Sequence, residues 1–554
     1  MKSSQKFRIF LLIPFFLFAC LMIEAQDLEK EIDDIVSSMY TVDEPGISIL
    51  VAKDGKPIFR KAYGKANLEL DVDLKPENVF EIGSITKQFT AVAILMLEEQ
   101  GKLKIEDKIT KYIPDYPTND KIITIHHLLN HTSGIKSYTG MESFMKLARN
   151  DMTPKELINV FKNEPMDFDP GEKFLYNNSG YILLGYIIEV ITGDTYENFI
   201  EKNIFKKISM NSSYYGSMKE LIKNRAYGYQ QKDEGYVNAD YLSLTLPYVA
   251  GSLMSTVDDL LKWQNAISAN TFIKRTSLEK AINGSTLNNG EEINYGYGWG
   301  KMTIQGSKGY AHSGGIFGYT TNGIFLEDEN VYVVGLTNCN CKRVSDITRR
   351  VAAVVIGKPI PNKKDAITLS EDKLKKWVGA YQFEENVIRH VTLRDGQLYS
   401  LREGEDSREF KIYPMKDGSF IFDEGTISYT FSMTKDGRRQ TIFKSGEESF
   451  TGKGIDKAPP AEKKTIKVSS DILKKYIGKY ELQPSFIINV TVEGDSIFAQ
   501  ATGQPKFEIF AETELRFFLK VVPAEIVFSK NEEGKVDSLT LNQGGRQMPA
   551  KKIE

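Results

Sequence analysis

The last third of the chain contains one stretch twice. Leu374-Lys375-Lys376-Trp377-Val378-Gly379-Ala380-Tyr381 returns as Leu473-Lys474-Lys475-Tyr476-Ile477-Gly478-Lys479-Tyr480, 99 residues later. Val391-Thr392 and Leu398-Tyr399 return at the same offset as Val490-Thr491 and Ile497-Phe498, and Phe410-Lys411-Ile412-Tyr413 resembles Phe507-Glu508-Ile509-Phe510. Self-similarity at a fixed period means a duplicated structural unit. Each copy is dense in short alternating strands broken by Asp-Gly or Glu-Gly, as at Asp395-Gly396, Asp417-Gly418 and Glu533-Gly534. That texture belongs to small antiparallel barrels or sandwiches. Pro459-Pro460-Ala461-Glu462-Lys463-Lys464 reads as the linker between them. The expectation is two β-rich repeat units, 361–462 and 463–554, behind a separate domain.

At the other end, Lys2, Lys6 and Arg8 precede an apolar run from Ile9 to Ile23, broken once by Pro14 and followed by Glu24-Ala25-Gln26. The run is short for a span and Ala25 is small, so residues 1–25 read as a secretory signal peptide and the protein as periplasmic or secreted. A competing reading takes Leu17-Phe18-Ala19-Cys20 as a lipoprotein box; bulky Phe18 and the apolar Leu21-Met22-Ile23 that would follow speak against it. No other segment reaches membrane-spanning length. The 71 basic and 74 acidic residues are mixed and the net charge is -3, which gives no field for nucleic acid. Outside the leader the cysteines are Cys339 and Cys341, a spacing poor for an unstrained mutual disulfide; they read as buried thiols.

Residues 26–360 are left for the main domain. An amphipathic helix is expected from Asp27 to Tyr40, then a hairpin of residues 46–52 and 56–64 turning at Asp54-Gly55. Phe89, Val92, Ala93, Met96 and Leu97 recur at helical spacing and predict a helix with one buried face, stopped by Gly101. Further helices are expected after Thr153-Pro154, after Tyr176-Asn177-Asn178-Ser179-Gly180 through Ile191, and over Gly251 to Ala266. Strands follow at residues 295–304, 309–316, 320–326 and 331–337, and a last helix at Val344 to Ile356. A hairpin first, helices in the middle, strands and a helix last predict an α/β sandwich assembled from both ends of the domain, with an inserted helical lobe.

Three boxes in this domain carry chemistry. Ser84 stands at the helix start and Lys87 one turn on, so the amine can take the hydroxyl proton; a buried lysine there has a depressed pKa. Ser-x-x-Lys alone is weak, since it also begins at Ser3, Ser133, Ser143, Ser277, Ser370 and Ser432. Tyr176-Asn177-Asn178 lies at a loop-to-helix junction, a pattern shared with Tyr196-Glu197-Asn198 and Tyr236-Val237-Asn238. His312-Ser313-Gly314-Gly315 lies on a predicted strand, where glycines admit a ligand close to the backbone. The plainer alternatives are a helix cap for Ser84, a core aromatic for Tyr176 and a strand histidine for His312. His126, His127 and His131 sit around a Leu-Leu helix before Thr132-Ser133-Gly134, which favours structure over a metal.

Taken together, Phe80-Glu81-Ile82-Gly83-Ser84-Ile85-Thr86-Lys87, Leu128-Leu129-Asn130-His131-Thr132-Ser133-Gly134, Phe174-Leu175-Tyr176-Asn177-Asn178-Ser179-Gly180 and His312-Ser313-Gly314-Gly315 resemble the class C β-lactamase and serine D,D-peptidase family in order and spacing. The tail is similar to the lipocalin-like β-domains appended to some members. The resemblance implies a β-lactamase/transpeptidase-like α/β sandwich, antiparallel sheet plus helical lobe, followed by two lipocalin-like units. It implies an acyl-enzyme on Ser84, proton traffic shared by Lys87 and Tyr176 with the resting base left open, and Asn178 on a substrate amide. The N–H groups of Ser84 and Gly315 would form an oxyanion hole, with Ser313 and Gly314 beside it. His312 stands where the commoner box has lysine, as a weaker, pH-dependent partner for a substrate carboxylate.

The reading is an exported serine hydrolase for a small amide or ester, such as a cell-wall-derived D-amino-acid peptide, a β-lactam or an ester, working without metal or cofactor. The alternative is a catalytically silent, penicillin-recognising sensor module. The β-units have three open roles: capping the cleft, joining copies into oligomers, or binding wall material.

Overall fold

The computed structural model describes residues 26–554 except 385–386, 405–408, 424, 447, 461–464, 484–485, 523 and 545. The leader lies outside the described residues. Contacts divide the chain into two units, one ending at Ile360 and one over Pro361–Glu554. No helix among the described residues is long and apolar enough to cross a membrane.

The first unit is built on a six-stranded antiparallel sheet. Its strands are β1 (Ile47–Lys53), β2 (Lys56–Tyr63), β3 (Gly300–Ile304), β4 (Ser307–Ile316), β5 (Tyr319–Leu326) and β6 (Val331–Thr337), in spatial order β3-β4-β5-β6-β1-β2. The β1–β2 hairpin turns at Asp54 and Gly55, both at positive φ, as the Asp-Gly signal predicts. Pairing of β1 with β6 joins the two ends of the domain.

Side chains alternate across the sheet. Ile47, Ile49 and Val51 of β1 and Val331 and Val333 of β6 pack with Ile32 and Val36 of α1 (26–37) and Val344, Ile347 and Val351 of α5 (Val344–Val355). Leu50, Val334 and Leu336 face the other way, into the core shared with α2 (Thr86–Glu99), α3 (Asn178–Thr192) and α4 (Val257–Ser268). Burial on both faces explains why these strands read as continuous apolar runs.

Helix α2 departs from the expected single buried face: every residue from Thr86 to Leu97 is buried. A helix enclosed on all sides lies inside the core rather than on its surface, and Phe89 stacks on Trp263 of α4 at 4.0 Å on one flank. The strand expected from Tyr295 begins only at Gly300, because residues 296–299 close a turn through the Gly296 N–H and the Trp299 carbonyl. Likewise the helix expected from Gly251 starts at Val257, capped by Thr256, after the short strand Leu253–Ser255. The cysteine expectation fails: Cys339 and Cys341 form a disulfide. The chain bends after β6 and brings their Cα atoms to 5.2 Å, inside the ~4.4–6.8 Å range that disulfides bridge.

The second unit holds two closed barrels, each of eight antiparallel strands in consecutive order. One runs from Gly379–Gln382 to Glu448–Ile455, the other from Gly478–Gln483 to Arg546–Lys552. Closure of first strand on last removes the exposed edges an open sheet would present, and gives the lipocalin-like form expected of the repeats. The duplication reaches single hydrogen bonds: Tyr381 donates to the Trp377 carbonyl at 2.7 Å and Tyr480 to the Tyr476 carbonyl at 2.8 Å. Both tyrosines are fully buried. Tyr381→Phe and Tyr480→Phe should each cost about 1 kcal/mol of stability through the lost bond, read as a lowered urea midpoint of the full-length protein.

Candidate active site

Ser84 sits in a 3-10 turn, Gly83–Ile85, that runs directly into α2. This turn lies against the backbone of β4. A Cβ on Gly83, whose φ is +51°, would stand 2.9 Å from the Gly315 nitrogen; one on Gly314 would stand 2.1 Å from the Ile82 carbonyl oxygen. Glycine at both positions is what lets two backbones touch. Thr321 Oγ1 donates to the same Ile82 carbonyl at 2.9 Å and fixes the depth of approach.

Strand β3 pairs with β4 only as far as Gly300–Ala311, so His312 to Ile316 have no β3 partner on that edge. The hairpin from β4 to β5 closes on Ile316–Tyr319 around two residues. Hydrogen-bonded and non-hydrogen-bonded pairs alternate outward from such a turn, which aims the N–H of Gly315 away from β5 and toward the Ser84 turn. Gly315 and Ser313 are exposed there, and a Cβ on Gly315 would meet nothing within 4 Å.

Lys87 is fully buried, and burial holds its amine well below the usual lysine range. Its Nζ lies 2.8 Å from Asn178 Oδ1, 2.8 Å from the Ala250 carbonyl and 3.1 Å from Ser84 Oγ. Two of these neighbours can only accept. A neutral amine has two N–H bonds for them and one lone pair left, which points to the serine hydroxyl. Asn178, expected on a substrate amide, is committed at both ends of its side chain: Oδ1 takes Lys87 and Nδ2 donates to Thr139 Oγ1 at 3.0 Å.

Tyr176 lines the cleft with 37% of its surface exposed, and its ring centroid is 4.9 Å from Lys87 Nζ. Enclosure among its neighbours raises its pKa, an effect larger than the opposing influence of Ser84. The phenol is therefore neutral at rest. His312 is buried on β4, with Nδ1 2.6 Å from the Ser313 carbonyl and Nε2 2.9 Å from the Tyr295 hydroxyl. The carbonyl can only accept, so Nδ1 carries the proton and Nε2 receives one from Tyr295. Burial lowers its pKa to about 3. This corrects the expectation of a titrating histidine: His312 is uncharged across the physiological range.

These side chains meet at a cleft of about 550 Å³ lined by Ser84, Tyr176, Tyr295, His312, Gly315, Lys301 and Arg349 among others. Ser84, Lys87, Tyr176, Asn178, His312, Ser313, Gly314 and Gly315 are thus brought together. Tyr295, Thr139, Lys301 and Arg349 carry no pattern in one sequence that marks them. His126, His127 and His131 do not converge: His126 Nδ1 meets Tyr297 Oη at 2.7 Å, and His127 closes a capping box with Thr124. Because unfolding lets Lys87 take up a proton that the folded state excludes, stability should rise with pH between its depressed pKa and 10.5. That contribution is lost as the pH falls through the window. Urea midpoints measured across it should climb for the wild type and lose this component in Lys87→Met.

Residues 29–356 match the Beta-lactamase family, and residues 462–552 match a domain of unknown function, DUF3471. Penicillin-binding protein 4* of Bacillus subtilis is 27% identical over 542 residues, covering 94% of this chain and 98% of that protein. The octameric penicillin-binding protein homologue of Pyrococcus abyssi superposes with a TM-score of 0.54 at 28% identity, over 77% of this chain and 99% of that one. The D-amino acid amidase of Ochrobactrum anthropi SV3 shares the fold, with a TM-score of 0.53 at 23% identity over 60% of this chain and 99% of that one. The chain belongs to the Beta-lactamase family and is a serine hydrolase.

Proposed function

We propose that the protein is exported and forms an acyl-enzyme on Ser84 while cleaving a small amide or ester, of the class of D-amino-acid peptides, β-lactams or esters. The observation that carries this reading is the Lys87 amine, buried, committed through two N–H bonds, and 3.1 Å from Ser84 Oγ. Similarity to proteins described as penicillin-binding supports a cell-wall-derived substrate. Export rests on the leader pattern of residues 1–25.

In this mechanism Lys87 is the resting base. Ser84 Oγ bonds to the substrate carbonyl carbon as its proton passes to Nζ, and the oxygen charge falls between the N–H groups of Ser84 and Gly315. Collapse expels the amine or alcohol, protonated from Lys87 through the Tyr176 phenol, and water then attacks the acyl-enzyme by the reverse route. Tyr176 relays a proton as a neutral phenol, in accord with its raised pKa. Asn178 orients Lys87, and the open edge from His312 to Gly315 lies along the substrate backbone. A substrate carboxylate finds its counter-charge in Lys301 and Arg349, the cations that line the cleft.

A fluorophosphonate probe should label the protein on Ser84, with no labelling of Ser84→Ala; labelling of the alanine variant at the wild-type rate would refute the assignment. A panel of β-lactam, D-Ala-D-Ala peptide, D-aminoacyl amide and short-chain ester substrates identifies the preferred class. On an anionic substrate, kcat/KM should show no His312 titration between about pH 5 and pH 8, since the imidazole protonates only near a pH of about 3. An inflection near the ordinary histidine pKa that vanishes in His312→Gln would count against the neutral imidazole.

A further inference from the structure

His131 is the one site-proximal histidine that the mechanism does not use. It is 1% exposed and does not line the cleft, so it touches no substrate. Its backbone sits at φ +61°, just past the short helix Ile125–Leu129. From there it grips the chain on both sides of Tyr176. Its carbonyl accepts the Leu175 N–H at 3.0 Å and its Nδ1 accepts the Asn177 N–H at 3.1 Å. Between those two bonds the Tyr176 ring packs against the imidazole at a tilt of 42°, centroid to centroid 4.3 Å.

The tautomer follows, because a backbone N–H can only donate: Nδ1 is the acceptor and the ring proton is on Nε2. Nε2 has no hydrogen-bond partner among the described residues. It is left among the rings of Tyr176, Tyr181 and Tyr295, whose centroids lie 4.3, 5.2 and 4.8 Å from that of the imidazole. A buried donor without a partner has a cost that packing alone does not offset. A leucine would fill the space without it, but would leave the Asn177 N–H unpaired and Tyr176 held on one side only.

We propose that His131 is a positioning residue: by bonding the residues before and after Tyr176 and packing against its ring, it fixes the phenol beside Ser84. This rests on the acyl-transfer role proposed for Tyr176. The side chain's useful atom is its δ1 acceptor. Asparagine places Oδ1 at the equivalent branch and tolerates the left-handed backbone, so it should substitute, whereas leucine and alanine remove the acceptor.

The test is the second-order rate of Ser84 labelling by a fluorophosphonate. His131→Leu and His131→Ala, each checked for folding by circular dichroism, should slow labelling on the order of 100-fold, the scale of a misplaced catalytic group. His131→Asn should recover most of that loss. In the Tyr176→Phe background, His131→Leu should change the rate little, because the two residues act as one unit. An equal loss in both backgrounds, or an asparagine variant as slow as the alanine one, overturns the inference. A wild-type protein that is not labelled on Ser84 overturns instead the hydrolase reading on which it rests.

Discussion

An amine removed from water at the centre of the first unit is the constraint on which the rest of the site depends. Desolvation disfavours the charged form of Lys87, and among the described residues no carboxylate is bonded to its Nζ to restore the charge. What surrounds Nζ is an amide oxygen, a carbonyl oxygen and a hydroxyl, the set that suits a neutral amine with one lone pair free. The burial of α2 all round from Thr86 to Leu97 is the price of that arrangement. A helix with one face in water would leave its first turn solvated, and Lys87 would hold its proton as an ordinary surface lysine does.

Backbone proximity is the second constraint. The Ser84 turn and the end of β4 approach until Gly83 and Gly315 are in contact, and side chains at Gly83 or Gly314 would forbid it. The sheet makes the approach reproducible. Its central pairing, β1 with β6, unites residues nearly three hundred positions apart, and β4 overruns β3 so that an edge is left open beside Ser84. Gly315 N–H is aimed by the alternation of an antiparallel ladder rather than by any side chain.

The aromatic layer around the site does electrostatic work of a quieter kind. Tyr295 and the Ser313 carbonyl hold His312 in a single uncharged tautomer, and His131 is uncharged for the same reason of burial. Two imidazoles next to a lysine would repel its protonated form if they were charged. Kept neutral, they leave the electrostatics of the cleft to Lys301 and Arg349, which line it, and they add no charge beside Lys87.

Local pattern made much of this legible. The hairpin at Asp54-Gly55, the Thr153 capping box, the Gly101 stop after α2, the last helix and the duplicated barrels all follow from dipeptides, caps and periods that act within a few residues or repeat at a fixed offset. The Ser84 turn was legible for the same reason, since Ser84 and Lys87 are one helical turn apart. What the sequence could not determine lies wherever distant segments meet: that α2 is buried all round from Thr86 to Leu97, that Asn178 faces Lys87, that the Tyr295 hydroxyl donates to His312 Nε2 and so fixes its tautomer, and that Cys339 and Cys341 bend into a disulfide. Residue types and spacing decided which groups are available; only the packing of the sheet ends, the helical lobe and the loops decided their charge, because charge depends on desolvation and on acceptors brought from elsewhere in the chain.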